Sequence, residues 1–257
     1  MWWGRHDSEH PVALDCLHVS RSVPDRAALA TEVLAAGLAA LVGARTTVPP
    51  PYELTVPADW RERADAAAAV AWRREAARRV GMTEQVERLR VEWRTGGPVP
   101  AAPTRLAFRP EPDDDVVLDA LRQVAVGSLD VATVRGLADL GADAQARDDL
   151  EFYRSCPGER GWWRLGYGLD GTLAALAIPS ATPYGRNAGY LGVVPPARGL
   201  GLVDEVLGEI TRIHAGAGAE RITATTDATN APMAAAFERA GYRRTATRLV
   251  LEAPPVG

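Results

Sequence analysis

A run that reads strand, glycine-rich turn, helix constrains this chain more than any other feature. Val193-Val194-Pro195-Pro196-Ala197-Arg198-Gly199-Leu200-Gly201-Leu202 follows a strand-like stretch, Gly189 to Val194, and opens a helix-like stretch, Leu202 to Ala215. Gly199 and Gly201 have no Cβ, so backbone can come close to a bound group. A helix that begins there aims its unpaired N–H groups and the positive end of its dipole at the same place. Arg198 adds a permanent cation with bidentate geometry. Together these make a cradle for a pyrophosphate-like anion. No Lys-Ser/Thr pair follows the last glycine, which excludes a nucleotide-triphosphate loop.

A second pattern lies downstream. Thr226-Asp227-Ala228-Thr229-Asn230-Ala231-Pro232-Met233 leads into Ala234-Ala235-Ala236-Phe237-Glu238-Arg239-Ala240-Gly241-Tyr242. Asn230 suits a helix N-cap, Pro232 is tolerated in the first turn, and Gly241 supplies a left-handed stop. The first stretch resembles the V-x-P-x-x-R-G-x-G signature of the GNAT superfamily of N-acetyltransferases. The second resembles that family's N-x-x-(A/M)-x-x-x-(Y/F/N)-x-x-x-G-(F/Y) signature, and the distance between the two also fits.

The resemblance implies acetyl-coenzyme A as co-substrate and no metal. It lies in a V-shaped opening between the cofactor strand and the strand at Arg221 to Thr226. Backbone groups around Leu191, Gly192 and Val193 take the pantetheine. Arg198 and the amides of Gly199, Leu200, Gly201, Leu202 and Val203 take the pyrophosphate. Asn230, Met233 and Phe237 flank the pantetheine arm and thioester. The chain departs from the family at two places. Val203 stands where a small residue lets the helix close on the cofactor. Phe237 stands where many members carry a Tyr that protonates the departing thiolate, and Phe has no proton to give. The incoming amine must also lose a proton. Asp227, at the end of its strand, is the first candidate base, with a turn or helix-entry cap as its alternative role. Tyr190 is a second candidate for proton handling, or a core residue.

The remaining elements follow the GNAT order, and the resemblance covers roughly residues 103–252. Thr104 to Pro110 reads as a strand with Leu106 and Phe108 on one face. Asp113-Asp114-Asp115 starts a helix whose stripe is Val116, Val117, Leu118, Leu121, Val124 and Val126. Val131 to Tyr153 is a further helical region. Trp162 to Leu169 and Leu173 to Ile178 form a hairpin about Asp170-Gly171, and Arg243 to Glu252 is the last strand. The expected order is β-α-α-β-β-β-α-β-α-β. The expected fold is α/β: a mixed central sheet flanked by helices, in a domain at 104–252.

Residues 1–95 form a separate α/β region. Val12 to Ser20, Tyr52 to Val56 and Glu84 to Trp93 read as strands; Asp25 to Val42 and Arg61 to Val80 read as helices, the latter stopped by Gly81. This order repeats that of the C-terminal half, which suggests a degenerate partial GNAT repeat; an unrelated α/β cap is the alternative. The position of the Arg-Gly-x-Gly loop reads Ser20-Arg21-Ser22-Val23-Pro24-Asp25, so this region is not expected to bind coenzyme A. The Pro/Gly-rich segment 96–103 reads as a linker.

Composition narrows the partners. Net charge is −4, which gives no general attraction to nucleic acid or anionic membrane. All 29 basic residues are Arg, which points to a GC-rich coding sequence, and the chain resembles actinobacterial-type members of the family. Two cysteines, Cys16 and Cys156, make no disulfide framework and fit a reducing cytoplasm. Nothing reads as a membrane span or secretion signal. His6 and His10 share a helical spacing but not the His-Glu-x-x-His order of a zinc site. His214, late in its helix, reads as a partner for the helix dipole. Two functions remain open: acetyl transfer to a primary amine of a small molecule or peptide, or a catalytically weak coenzyme-A-binding module. The expected partners are acetyl-coenzyme A and an amine acceptor, with a homodimer as the assembly to test for.

Overall fold

The computed structural model describes residues 2–4, 12–42 and 49–254. The histidine pair His6 and His10 lies outside the described residues. The chain divides into two compact units, residues 1–89 with 245–257, and residues 90–244. Among the described residues, no helix is long and apolar enough to cross a membrane.

Unit 1 is an α/β layer. Its strands are β1 (Trp2–Gly4), β2 (Ala13–Cys16), β3 (Tyr52–Pro57), the first half of β4 (Glu84–Arg94) and most of β10 (Arg243–Glu252), in the order β1-β2-β3-β10-β4. Strands β2 and β3 run parallel through Leu14 and Tyr52, and β3 and β10 antiparallel through Val56 and Thr247. Helices α1 (Arg26–Val42) and α2 (Ala64–Arg79) cover the sheet. Leu14, Leu34, Tyr52, Trp72, Ala76 and Leu251 close that core. Gly81, at φ +89, ends α2 where a side chain would be strained, and the Met82 amide turns back to Ala77.

Unit 2 carries the order β4-β9-β8-β7-β6-β5. Its strands are β5 (Leu106–Pro110), β6 (Arg164–Gly168), β7 (Leu173–Thr182), β8 (Gly185–Val193) and β9 (Arg221–Asp227); its helices are α3 (Asp114–Ala125), α4 (Val131–Leu140), α5 (Ala142–Ser155), α6 (Val203–Gly216) and α7 (Ala231–Arg239). Strands β5 to β8 pair antiparallel, and β8 pairs parallel with β9. Ala174 to Ala181 of β7 are all buried, the mark of a central strand covered on both faces. One core packs α6 and α7 against Trp93, Ile222 and Ala224; the other packs α3 and α5 against Leu165, Leu176 and Ile178.

Several expectations are corrected here. Gly141, at φ +81, breaks the region 131–153 into α4 and α5, so one more helix stands before β6. On α3, capped by the Asp113 carboxylate, Val117, Leu121 and Val124 are buried, but Val116 and Val126 face solvent. Val116 is out of phase with the 3.6-residue stripe, and Val126 already lies past the helix end. Residues 96–103 are docked within unit 2 and do not hang between the units. Trp93 Nε1 donates to Pro98 O at 2.8 Å, and Arg212 donates to the carbonyls of Pro100 and Ala101. A Cβ on Gly241 would come within 2.4 Å of Pro98, so this glycine stops α7 and also makes room for that segment.

Candidate active site

The site starts from a defect in β8. Its register against β7 shifts between Ile178 and Ser180, and Gly189 sits at φ +68 in the resulting bulge. A Cβ there would meet the Ile178 carbonyl oxygen at 2.0 Å, so only glycine fits. Just before the bulge, β8 pairs with β9 through Arg186↔Ile222 and Asn187↔Thr223. The described parallel pairing stops there, while Leu191, Gly192 and Val193 stay bonded to β7 on their other edge. From the bulge onward, no β9 residue among those described pairs with β8. Leu191 and Val193 turn their side chains to the α6 core, and Gly192 lies against Val124, where a Cβ would approach to 2.8 Å.

The turn after β8 ends in a helix start left without a cap. A short 3-10 turn (Pro195–Ala197) is followed by Gly199 at φ +77 and Gly201 at φ +71, each with open space where a Cβ would point. Leu202 occupies the N-cap of α6 and offers no side-chain hydrogen bond. Among the described residues, none accepts a hydrogen bond from the amides of Gly199, Leu200, Gly201, Leu202 or Val203. Orphan donors at a helix start are what an anion satisfies.

Arg198 takes a different part from the one expected. Its guanidinium donates to the carbonyls of Val193 at 2.9 Å, Gly127 at 3.0 Å and Val124 at 2.9 Å. It therefore ties the end of α3 to the end of β8 and shapes the loop. Arg105, which the sequence reading missed, clamps the other side. It donates to the carbonyls of Leu200 at 2.6 Å and Gly201 at 3.1 Å, and pairs with Glu205 at 2.9 Å. Burial works against the Glu205 carboxylate, but Arg105 and the neighbouring backbone amides hold it below the usual range.

The second motif folds as its residues suggest. Asn230 caps α7, its side chain accepting from the Met233 amide at 3.3 Å. Phe237, 2% exposed, packs edge-on against Tyr242 at 5.1 Å. The Tyr242 hydroxyl lies 3.0 Å from Thr211 Oγ1, and burial pushes its pKa up. Phe237 is thus a core residue, and its hydroxyl-bearing neighbour is already engaged.

On the α3/α5 side of β8, Tyr190 meets Tyr153 edge-on at 6.0 Å. Asp149 stands one helical turn before Tyr153, on the same face of α5. Burial raises the Asp149 carboxylate, and Asp130 and Asp148 add to it against a hydrogen bond from Gln145. Burial, then the charges of Asp149 and Asp130, push the Tyr190 hydroxyl up, so it keeps its proton at neutral pH. Asp227 is 2% exposed and accepts from the Val131 amide at 2.7 Å, so it anchors the start of α4. Asp149 and Tyr153 sit far from β8 in sequence, and no local pattern could have exposed them.

His214 also departs from expectation. It is fully buried, with Nε2 2.9 Å from the Asn187 carbonyl and its ring edge-on to Trp162 at 5.2 Å. Burial lowers its pKa to about 4, helped by Arg186 and opposed by the Asn187 hydrogen bond, so it is neutral and no dipole partner.

No family model matches the sequence, and no curated protein matches it. Solved structures do. A GCN5-related N-acetyltransferase from Sphaerobacter thermophilus superposes with a TM-score of 0.58 at 17% identity, over 89% of this chain and 69% of that one. A tandem GNAT protein from the clavulanic acid biosynthesis pathway gives 0.53 at 14%, over 97% and 78%. A GCN5-related N-acetyltransferase from Kribbella flavida gives 0.51 at 17%, over 89% and 75%. The fold is that of the GNAT superfamily: a mixed sheet flanked by helices.

Proposed function

We propose that this chain is an acetyl-coenzyme-A-dependent N-acetyltransferase that acts by direct transfer on a primary amine of a small molecule or peptide. One observation carries the reading: the five amides of Gly199 to Val203, without a partner among the described residues, at the uncapped start of α6 and just after a strand that has left its parallel neighbour. The two positive-φ glycines leave the space that a pyrophosphate needs, so the residues present fit the co-substrate.

When bound, acetyl-coenzyme A supplies an acyl carbonyl activated as a thioester and a thiolate leaving group. The amides of Gly199 to Val203 hold the pyrophosphate, with Arg198 and Arg105 fixing the loop. The open edge of β8 from Gly189 to Val193 offers strand-like hydrogen bonds to the pantetheine, with Asn230 and Met233 flanking it. A backbone N–H on that edge faces charge developing on the acyl oxygen. The amine must lose a proton to attack; Asp149, with its raised affinity for protons, accepts it. Tyr190 retains its proton and serves as donor to the leaving sulfur, the part Phe237 cannot play. Asp227 acts one step removed, by anchoring α4.

Turnover followed by thiol release across an amine library tests this reading. Release with at least one amine, lost in Asp149→Asn and Tyr190→Phe, supports it. Tight coenzyme A binding without release from any amine favours the second reading, a catalytically weak coenzyme-A-binding module. Phe237 in the proton-donor position is the observation behind that alternative.

A further inference from the structure

The β8 bulge is held by side chains that neither motif contains. Asn187 Oδ1 accepts the Gly189 amide at 2.7 Å, which fixes the bulge from within its own strand. The other end of the same amide, Nδ2, donates to Thr223 Oγ1 at 3.3 Å, across to β9. Thr223 donates back to the Arg186 carbonyl at 3.3 Å. The Asn187 carbonyl faces His214 Nε2 at 2.9 Å, so that nitrogen carries the proton and donates. These contacts meet at the last parallel pair, Asn187↔Thr223, the point where β8 and β9 part.

We infer that Asn187, Thr223 and His214 form a latch that sets where β8 and β9 separate, and that they are positioning residues for the reaction in the opening. Two strands with open backbone edges gain hydrogen bonds by continuing to pair. The latch opposes this. It spends the Asn187 side chain on the bulged amide and pins the Asn187 carbonyl from the α6 side. His214 Nδ1 is buried and without a partner among the described residues, so the one hydrogen bond the neutral ring gives goes to this carbonyl. Straightening the bulge would cost that bond and leave a part-buried carbonyl unpaired. It would also drive Gly189 toward Ile178. Trp162, edge-on to His214 and stacked under Arg186 at 4.2 Å, walls the network from outside. No described hydrogen bond or ring contact joins these residues to the 199–203 loop, so the latch acts on the reacting end of the opening. Its consequence for turnover rests on the acetyltransferase reading; its consequence for the bulge does not.

The test uses the full chain. Thr223→Val removes the hydroxyl at nearly constant volume, Thr223→Ser keeps it, and His214→Phe keeps a ring against Trp162 without the donor. The first readout is hydrogen exchange at the Gly189 amide in the absence of any ligand. Loss of one buried hydrogen bond speeds exchange about fivefold to tenfold in Thr223→Val and His214→Phe, and Thr223→Ser returns it toward wild type. The second readout separates kcat from affinity. In the same two variants kcat falls by about tenfold, while the dissociation constant of coenzyme A, held by the separate loop, moves less than about threefold. Unchanged Gly189 exchange in folded Thr223→Val and His214→Phe overturns the latch, whatever the activity. Faster exchange with wild-type kcat overturns the positioning role. A wild-type chain that releases no thiol with any amine overturns the acetyltransferase reading alone, and the exchange data then decide the latch.

Discussion

Two helices of this chain begin just after a strand, and they treat their free amides in opposite ways. At α1 of unit 1, Asp25 turns its carboxylate onto the Ala28 amide at 2.9 Å, and Ser20 and Ser22 close the preceding turn on themselves. At α6 of unit 2, the cap position is Leu202, two glycines at positive φ precede it, and the amides of 199–203 have no partner among the described residues. The same helix-start physics thus gives a self-sufficient turn in one unit and, in the other, the open amides proposed above to take an anion. A carboxylate already in place neutralises the amides and the dipole that a phosphate would use. Elements in similar order need not carry similar chemistry; the residues at one turn decide it.

The largest expected effect distinguishes the units under acid. Folded His214 takes a proton only near pH 4, whereas an unfolded histidine does so near 6.5. Between those values the unfolded chain binds more protons, so stability is full above about pH 6.5 and falls as pH drops toward 4. The loss from this residue is roughly 3 kcal/mol over the window. Urea unfolding at pH 7 and pH 4 should show that His214→Phe loses less stability between the two than wild type. Among the described residues of unit 1, no histidine is buried. An equal pH dependence in wild type and variant would remove this contrast.

A smaller effect is expected at Phe237. Phe237 is buried against Tyr242 and the proton donor is placed at Tyr190, so Phe237→Tyr should change turnover by less than about tenfold, roughly 1.4 kcal/mol in barrier. If that variant alone turns an inert chain into a fast enzyme, the coenzyme-A-binding reading replaces catalysis.

The smallest effect probes the other helix start. Asp25→Ala should cost unit 1 about 1 kcal/mol, the usual value of an N-cap. Coenzyme A affinity should not change, because the anion site belongs to α6. A change in affinity that follows Asp25 would break the comparison.

Much of this was legible in the chain. Alternation and helical stripes placed most strands and helices, and Asn230, Gly199, Gly201 and Gly241 announced their backbone roles, because caps and positive-φ turns are set by local chemistry. What escaped depended on distance. Arg198 reads as a ligand for an anion until the carbonyls of Val124 and Gly127 come beside it. Tyr153 meets Tyr190, and the charge of Asp149 reaches it, only through the packing of α5 in the fold. The segment 96–103 reads as a linker because prolines and glycines are all the sequence offers there; Trp93 and Arg212 supply the anchors. The Gly189 bulge left the trace of a glycine inside a strand, a signal that could have been taken up.

The central claim is that one anion site, at 199–203, serves the whole chain. Calorimetric titration of coenzyme A into wild type and Gly201→Val tests it most directly. One site per chain is expected in wild type, with about 2.7 kcal/mol of added stability at a hundredfold excess over the dissociation constant. Neither binding nor stabilisation is expected in Gly201→Val, whose side chain strains a φ of +71 and fills the cradle. Two sites per chain, no site in wild type, or undiminished binding by Gly201→Val would contradict it.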